Sequence, residues 1–164
     1  MIETRRLRLR RLCAADEPDL IALDSDPEVM RYVGSPAGVK PLAETTERVR
    51  QRIAGDHGPM GFWLIEGRAN GAFQGLGALI RMPTGDDVEL AYRLARRAWG
   101  HGFASEVGAA LVEYAFRVLA LPRVVAVTYP ENRASQRVLE KIGFTREGDL
   151  DYKGVRTAYY VLRA

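Results

Sequence analysis

Hydrophobic and polar positions follow two periods along the chain. Residues 5–12 alternate, with Leu7 and Leu9 on one side and Arg6, Arg8 and Arg10 on the other. That pattern predicts a half-solvated strand. Asp16 is then expected to cap a helix through Asp24, with Leu20, Ile21 and Leu23 apolar, and Asp26-Pro27 to open a second short helix over 28–32. Gly34-Ser35-Pro36-Ala37-Gly38 reads as a flexible connection, and 42–54 as an amphipathic helix with Val49 and Ile53 inward, ended by Gly55-Asp56-His57-Gly58-Pro59. Strands over 61–66 and 72–82 flank Asn70-Gly71, the strongest short hairpin signal. After a turn at 83–87 come a strand over 88–94, a long helix over 105–120, a strand over 123–128, a helix over 132–142, and strands over 145–152 and 157–162. On the long helix Val107, Ala110, Leu111, Tyr114, Ala115, Val118 and Leu119 recur at helical spacing, which marks a core stripe. No linker or repeat divides residues 1–164. The expected class is α/β (α+β): a single domain with a mixed, largely antiparallel sheet of about seven strands flanked by about four helices.

Composition narrows this little. With 164 residues, 47% hydrophobic and 27% charged, the chain is long enough for one sizeable core. No apolar run approaches a membrane span, and the N-terminus is basic and alternating rather than a leader, so cytoplasm is the expectation. A lone cysteine, Cys13, agrees with a reducing compartment and reads as a small apolar packer. Three of the 24 basic residues are lysines, leaving 21 arginines, and the formal charge is only +3. The arginines are dispersed rather than striped with aromatics, which argues against direct nucleic-acid binding. With His57, His101 and one cysteine available, no metal is expected.

Candidate chemistry begins at Arg96-Arg97-Ala98-Trp99-Gly100-His101-Gly102-Phe103-Ala104-Ser105-Glu106. A strand precedes it and a helix follows. Glycines at such a turn allow left-handed angles and close approach, and a helix N-terminus presents unpaired amides and partial positive charge. Together they form a phosphate cradle built from backbone. A dinucleotide fingerprint would need Gly or Ala where Ser105 stands and an acidic residue closing the next strand, and a P-loop would need Gly-Lys-Ser/Thr; neither is present.

A second motif follows, Pro130-Glu131-Asn132-Arg133-Ala134-Ser135-Gln136-Arg137-Val138-Leu139-Glu140-Lys141-Ile142-Gly143-Phe144. In this order and spacing the two motifs resemble the GNAT superfamily of acyl-CoA-dependent N-acetyltransferases. The Trp-Gly-x-Gly-Phe-Ala-Ser-Glu loop and the Asn-x-x-Ser…Leu-Glu-Lys-Ile-Gly-Phe segment look most like its ribosomal-protein N-terminal acetyltransferase (RimJ/RimL-like) branch. The resemblance is strong from Val88 to Phe144 and looser from Glu3 to Leu162. It implies acetyl-CoA as cofactor, with its pyrophosphate on amides from Gly100 to Ser105, centred on His101 to Ala104. It places the pantetheine arm in a gap between the strand carrying Ala91, Tyr92 and Leu94 and the strand ending at Thr128. Trp99 is expected to pack under the loop, His101 to contribute backbone, and Asn132 to lie beside the cofactor arm while also serving as a helix cap.

Acetyl transfer to an amine needs a neutral amine, a stabilised oxyanion and a proton for the departing thiolate. Many GNAT enzymes carry a tyrosine seven residues after the asparagine; here Leu139 stands there. The resembled branch has serine three residues after it, so Ser135 is the general-acid candidate and Tyr129 the reserve. Glu89, on the strand leading to the cradle, is the base candidate, its competing reading being a solvated strand carboxylate. A backbone N–H near Ala91-Tyr92 is expected to meet the oxyanion. Acceptor choice is expected from Tyr32 to Val39, the first two helices and the turn from Tyr152 to Arg156; the acidic residue that the branch often shows near Thr157 is missing. The first expected acceptor is a peptide or protein N-terminal amine, with polyamines, amino acids or antibiotics as alternatives. The remaining readings are an acyl-CoA-binding regulatory domain without turnover and, last, a nucleic-acid module. The family's members are often monomers or homodimers.

Overall fold

The computed structural model describes residues 1–34, 38–55 and 58–164; Ser35, Pro36 and Ala37 of the expected connection, and Asp56 and His57, lie outside the described residues. β1 (Ile2–Glu3) and β2 (Leu7–Arg11) open the chain, and a 3-10 turn, Ala14–Asp16, leads to α1 (Glu17–Ser25), α2 (Pro27–Met30) and α3 (Leu42–Ala54). The strands β3 (Gly61–Gly67), β4 (Phe73–Arg81) and β5 (Val88–Leu94) form a meander. Then come α4 (Phe103–Arg117), β6 (Arg123–Thr128), α5 (Arg133–Lys141), β7 (Thr145–Tyr152) and β8 (Val155–Arg163).

All strands join one sheet in the order β1-β2-β3-β4-β5-β6-β8-β7. Each neighbouring pair is antiparallel except β5–β6. The eighth strand is β1, whose two residues pair with Leu9 and Arg8 and are too few to show a period in sequence. The fifth helix is α2, a single turn begun as expected at Asp26-Pro27, where the Asp26 carboxylate accepts the Glu28 amide at 3.0 Å.

Alternation sorts the side chains into two apolar layers. Leu7, Leu9, Ile65, Leu79 and Leu90 point to the face covered by α4 and α5, where they meet Val107, Leu111, Ala115 and Leu139. Leu64, Phe73 and Leu76 point to the other face and meet Leu20, Leu23, Val29 and Val49 of α1, α2 and α3. The stripe on α4 holds at Val107, Leu111 and Ala115, but Val118 lies past the helix end and is exposed.

Two local expectations are corrected. Asp16 does not cap α1 with its side chain. Its carboxylate accepts the Cys13 amide at 2.8 Å and the Arg10 guanidinium at 2.7 and 2.9 Å. Cys13 is exposed rather than packed, because the chain turns outward there to bring Asp16 under Arg10.

Between β3 and β4 the register shifts at Ile65/Glu66, and Gly75 sits opposite Leu94. A Cβ on Gly75 would come within 2.3 Å of the Arg93 carbonyl, so only glycine lets β4 approach the end of β5 this closely.

Candidate active site

β5 and β6 share a single paired position, Glu89 with Val125. Beyond it β5 keeps its ladder with β4 as far as Leu94, while β6 keeps its ladder with β8 as far as Thr128. The parallel strands therefore part, each held by its other neighbour, and leave a seam open toward their C-terminal ends. This is the crevice at which open α/β sheets hold ligands. Beyond that pair, β5 from Tyr92 onward has no paired position with β6 among the described residues.

The mouth of the seam is closed by the loop before α4. Gly100 and Gly102 take φ of +77° and +75°, which turns the chain sharply into the helix. Glu106, bonded to the Gly102 carbonyl at 3.2 Å, is where α4's hydrogen bonding begins, so the preceding amides, from His101 to Ser105, project from its N-terminal end. A Cβ at Gly100 would meet nothing within 4 Å, so the space in front of the loop is open. Open space, unpaired amides and the helix dipole fit a pyrophosphate, and the adjoining seam fits a narrow chain attached to it.

Trp99 does not pack beneath the loop. Its ring is 45% exposed, and its indole N–H donates to the Leu94 carbonyl at 2.9 Å, strapping the loop to the end of β5. That bond occupies the Leu94 carbonyl; Ala91 and Arg93 turn their backbone groups to β4, and Tyr92 is left with its N–H and C=O toward the seam. His101 is exposed and its Nδ1–H donates to the Trp99 carbonyl at 2.7 Å.

The sequence motifs did not reveal what holds this loop from below. Glu106 accepts the Thr4 hydroxyl at 2.6 Å, the Arg6 amide at 2.8 Å and the Arg6 Nε at 2.8 Å. Arg6 also donates to the His101 carbonyl at 2.9 Å and lies 4.7 Å from the centroid of the Phe103 ring. Burial opposes the Glu106 charge, but these donors outweigh it and hold the carboxyl below its usual range. The partners lie a hundred residues apart, a separation no local pattern signals.

Two proton-bearing pairs lie on opposite faces of β5. On the α5 side, Tyr92 and Ser135 place their hydroxyls 3.2 Å apart. Burial pushes the Tyr92 phenol up to about 12, with the Ser135 bond working against it, so it stays protonated at neutral pH. Ser135 is fixed by its own backbone amide, which donates to Asn132 Oδ1 at 3.1 Å; the capping role of Asn132 is thus present. Leu139, where many relatives carry tyrosine, is a buried core residue. Alternation on β5 could have pointed Tyr92 toward α5, since Val88, Leu90 and Leu94 share its face.

On the other face stands Glu89, only 6% exposed, which corrects the solvated-carboxylate reading. Tyr152, at the end of β7, donates to Glu89 Oε2 at 2.7 Å. Burial raises the carboxyl above the usual glutamate range, and the Tyr152 bond and nearby Lys153 pull the other way without cancelling it. Tyr129 has its hydroxyl donated to the Gly34 carbonyl at 2.7 Å, and its ring lies 5.8 Å from that of Tyr32. It joins the end of β6 to the segment after α2. Thr157 is buried and donates to the Leu150 carbonyl at 2.9 Å, bracing the hairpin that presents Tyr152. Among the described residues no group of three or more His, Cys, Asp or Glu side chains gathers as metal ligands would. Nor is any described helix long and apolar enough to cross a membrane.

Comparison with known proteins agrees with this geometry. The family model described as acetyltransferase (GNAT) domain matches residues 6–145. The uncharacterized N-acetyltransferase YoaA of Bacillus subtilis (strain 168) is 33% identical over 152 residues, 92% of this chain and 85% of YoaA. The acetyltransferase of Agrobacterium tumefaciens str. C58 has the same fold with a TM-score of 0.86 and 29% identity, covering 99% of this chain and 94% of that one. RimL, a ribosomal alpha-N-protein acetyltransferase solved with coenzyme A, shares the fold at a TM-score of 0.79 and 22% identity, covering 98% and 95%. GNAT acetyltransferases draw their acetyl group from acetyl-CoA, and this chain, with its amide cradle and parted strands, belongs to the GNAT acetyltransferase family.

Proposed function

We propose that the protein acetylates the α-amine at the N-terminus of a peptide or protein, by direct transfer in a ternary complex, as a RimJ/RimL-like member of the family. The observation that carries this is the pair of proton-handling groups on opposite faces of β5, Glu89–Tyr152 and Tyr92–Ser135, flanking the same seam. When bound, acetyl-CoA supplies a thioester, an acyl group already activated toward an amine. The cradle amides from His101 to Ala104, the backbone of Tyr92, and the Asn132 side chain are the groups that would hold it.

Glu89 acts as the base. Tyr152 engages one carboxylate oxygen and orients the group, leaving the other to take a proton from the amine or from a water beside it. Its raised affinity for a proton brings it closer to an α-amine, whose pKa is about 8, than an ordinary carboxylate would be. A lysine side chain at about 10.4 would ask more of the same base. Ser135 holds a proton at Oγ on the α5 side, and Tyr92 can replace it across their 3.2 Å bond. Of the β5 amides near Ala91-Tyr92, that of Tyr92 faces away from β4 and is placed to donate to developing negative charge. Tyr32, Gly34 and Tyr129, held together at the end of β6, would line the acceptor side.

The test is acetyl-CoA consumption, read as free thiol, against peptides starting with Ala or Ser, polyamines and aminoglycosides. Turnover on the peptides, lowered roughly 100-fold by Ser135→Ala with acetyl-CoA affinity retained, is the expected outcome. Turnover confined to polyamines or aminoglycosides would sink the acceptor assignment. A Ser135→Ala enzyme with an unchanged rate would remove Ser135 as the acid.

A further inference from the structure

The face of β5 that carries Glu89 carries a second charged side chain two strand repeats on. Arg93 lies on that face with Ala91 between them, so the strand surface separating the two long side chains is bare. The Arg93 side chain is 15% exposed. Among the described residues its polar contacts both use Nη1, one to Met30 Sδ at 3.4 Å and one to Asp24 Oδ1 at 3.1 Å. Asp24 is shared, its Oδ2 accepting from Arg52 of α3 at 3.0 Å. Oδ1 makes no aligned hydrogen bond among the described residues, so the contact with Arg93 is one of charge rather than of a formed bond. Burial lowers the Arg93 guanidinium to about 10; Asp24 opposes this, and Arg52 and Arg48 add to it. A buried guanidinium is ordinarily matched by a carboxylate in two-pronged contact, because its five N–H donors are fixed in a planar fork. Among the described residues that fork is filled on one corner, by a carboxylate engaged elsewhere.

We infer that Arg93 is a specificity-determining residue of the acceptor site, taking a carboxylate that the acceptor carries close to its reactive amine. The inference rests on the α-amine reading above and adds the class of peptide selected. Successive residues on one face of a strand stand about 7 Å apart, so Arg93 lies about 13 Å along β5 from Glu89. Both side chains are long enough to lean over Ala91 and narrow that span. An amine at Glu89 and an anion at Arg93 must therefore be several bonds apart. The side chain of Asp or Glu at the first or second position of a peptide has that reach. The α-carboxylate of a free amino acid, one carbon from its amine, does not. A polyamine would set its second cation against Arg93 and is disfavoured.

The experiment compares kcat/KM for matched peptides, Ser-Asp-Ala with Ser-Asn-Ala and Ser-Glu-Ala with Ser-Gln-Ala, together with free serine and spermidine. It is run on the wild type, Arg93→Gln and Arg93→Lys. The wild type is expected to prefer each acidic peptide by about 10- to 100-fold over its amide partner, the range for a charge-assisted bond whose loss strands a buried charge. Arg93→Gln should bring that ratio to near one, and Arg93→Lys should restore part of it, since lysine keeps the charge without the fork. A structural role would lower both members of a pair together and leave the ratio standing, which would overturn the inference. So would equal rates on acidic and amide peptides in the wild type, an outcome that leaves the α-amine reading intact. Preference for free serine over the acidic peptides would move the carboxylate to the α-position and overturn the placement at Arg93. Turnover of spermidine alone, or of no amine, would remove the α-amine reading and this inference with it.

Discussion

At the scale of single residues, burial decides what Glu89 can do. The sequence shows a glutamate one step into a strand, where either face is open to it. The structure packs it beside Tyr152, brought from 63 residues away, and only that tertiary contact turns a plain carboxylate into a base of raised proton affinity. Glu89→Gln is expected to lower kcat by about 10²- to 10⁴-fold. In the wild type the acid limb of kcat/KM should fall at a pH above the ordinary glutamate value. The same shift has a stability sign. A carboxyl that binds its proton more tightly folded than unfolded favours folding while protonated, and that contribution is lost as pH rises through its folded pKa. Glu89→Gln should therefore melt above the wild type at pH 8, and the difference should vanish below about pH 4.3, where an unfolded glutamate is itself protonated. Ser135 was singled out by the motif shared with the resembled branch; Tyr92 as its partner was not, because alternation shows the face of a side chain but not what meets it there.

Among elements, α4 was the most legible. Its apolar stripe and glycine turn are local patterns, and they place its start to within two residues, while its end falls three residues before the expected one. The N-terminal turn that braces it was not legible. Thr4 and Arg6 read as the edge of a basic strand, yet they clamp Glu106 and the His101 carbonyl from beneath the cradle. Arg6→Ala is expected to raise the KM for acetyl-CoA about tenfold by loosening the loop. Because Arg6 is 45% exposed and its backbone amide still serves Glu106, the loss in stability should stay near 1 kcal/mol, measurable by urea titration. A drop in kcat with an unchanged KM would place the effect elsewhere. Glu106 itself stabilises the fold while ionised, a contribution that fades as pH falls through its lowered pKa. The element misjudged was the turn after β2, where the Arg10–Asp16 pair took the carboxylate expected to cap α1.

For the whole molecule, class and order of elements followed from periodicity, since seven of the eight strands and all five helices carry their own signal. What periodicity could not give was the parting of β5 from β6, which depends on each strand being held by its other neighbour. Acetyl-CoA at about 100 times its Kd should stabilise the folded state by about 2.7 kcal/mol, a rise in Tm of roughly 5–10 °C for a chain of this size. A melting temperature indifferent to acetyl-CoA but raised by ATP or NAD would place a different ligand on the cradle.

The single pairing at Glu89–Val125 also makes the sheet two leaves on one hinge. β1 to β5 form one leaf with α1 to α3, while β6, β8 and β7 form the other, and α4 spans them as a spine. That junction has the fewest paired positions of any in the sheet, so the least backbone bonding resists a change in the separation of the leaves there. A ligand laid along the seam stitches the leaves together, so recognition and rigidity arrive in the same event.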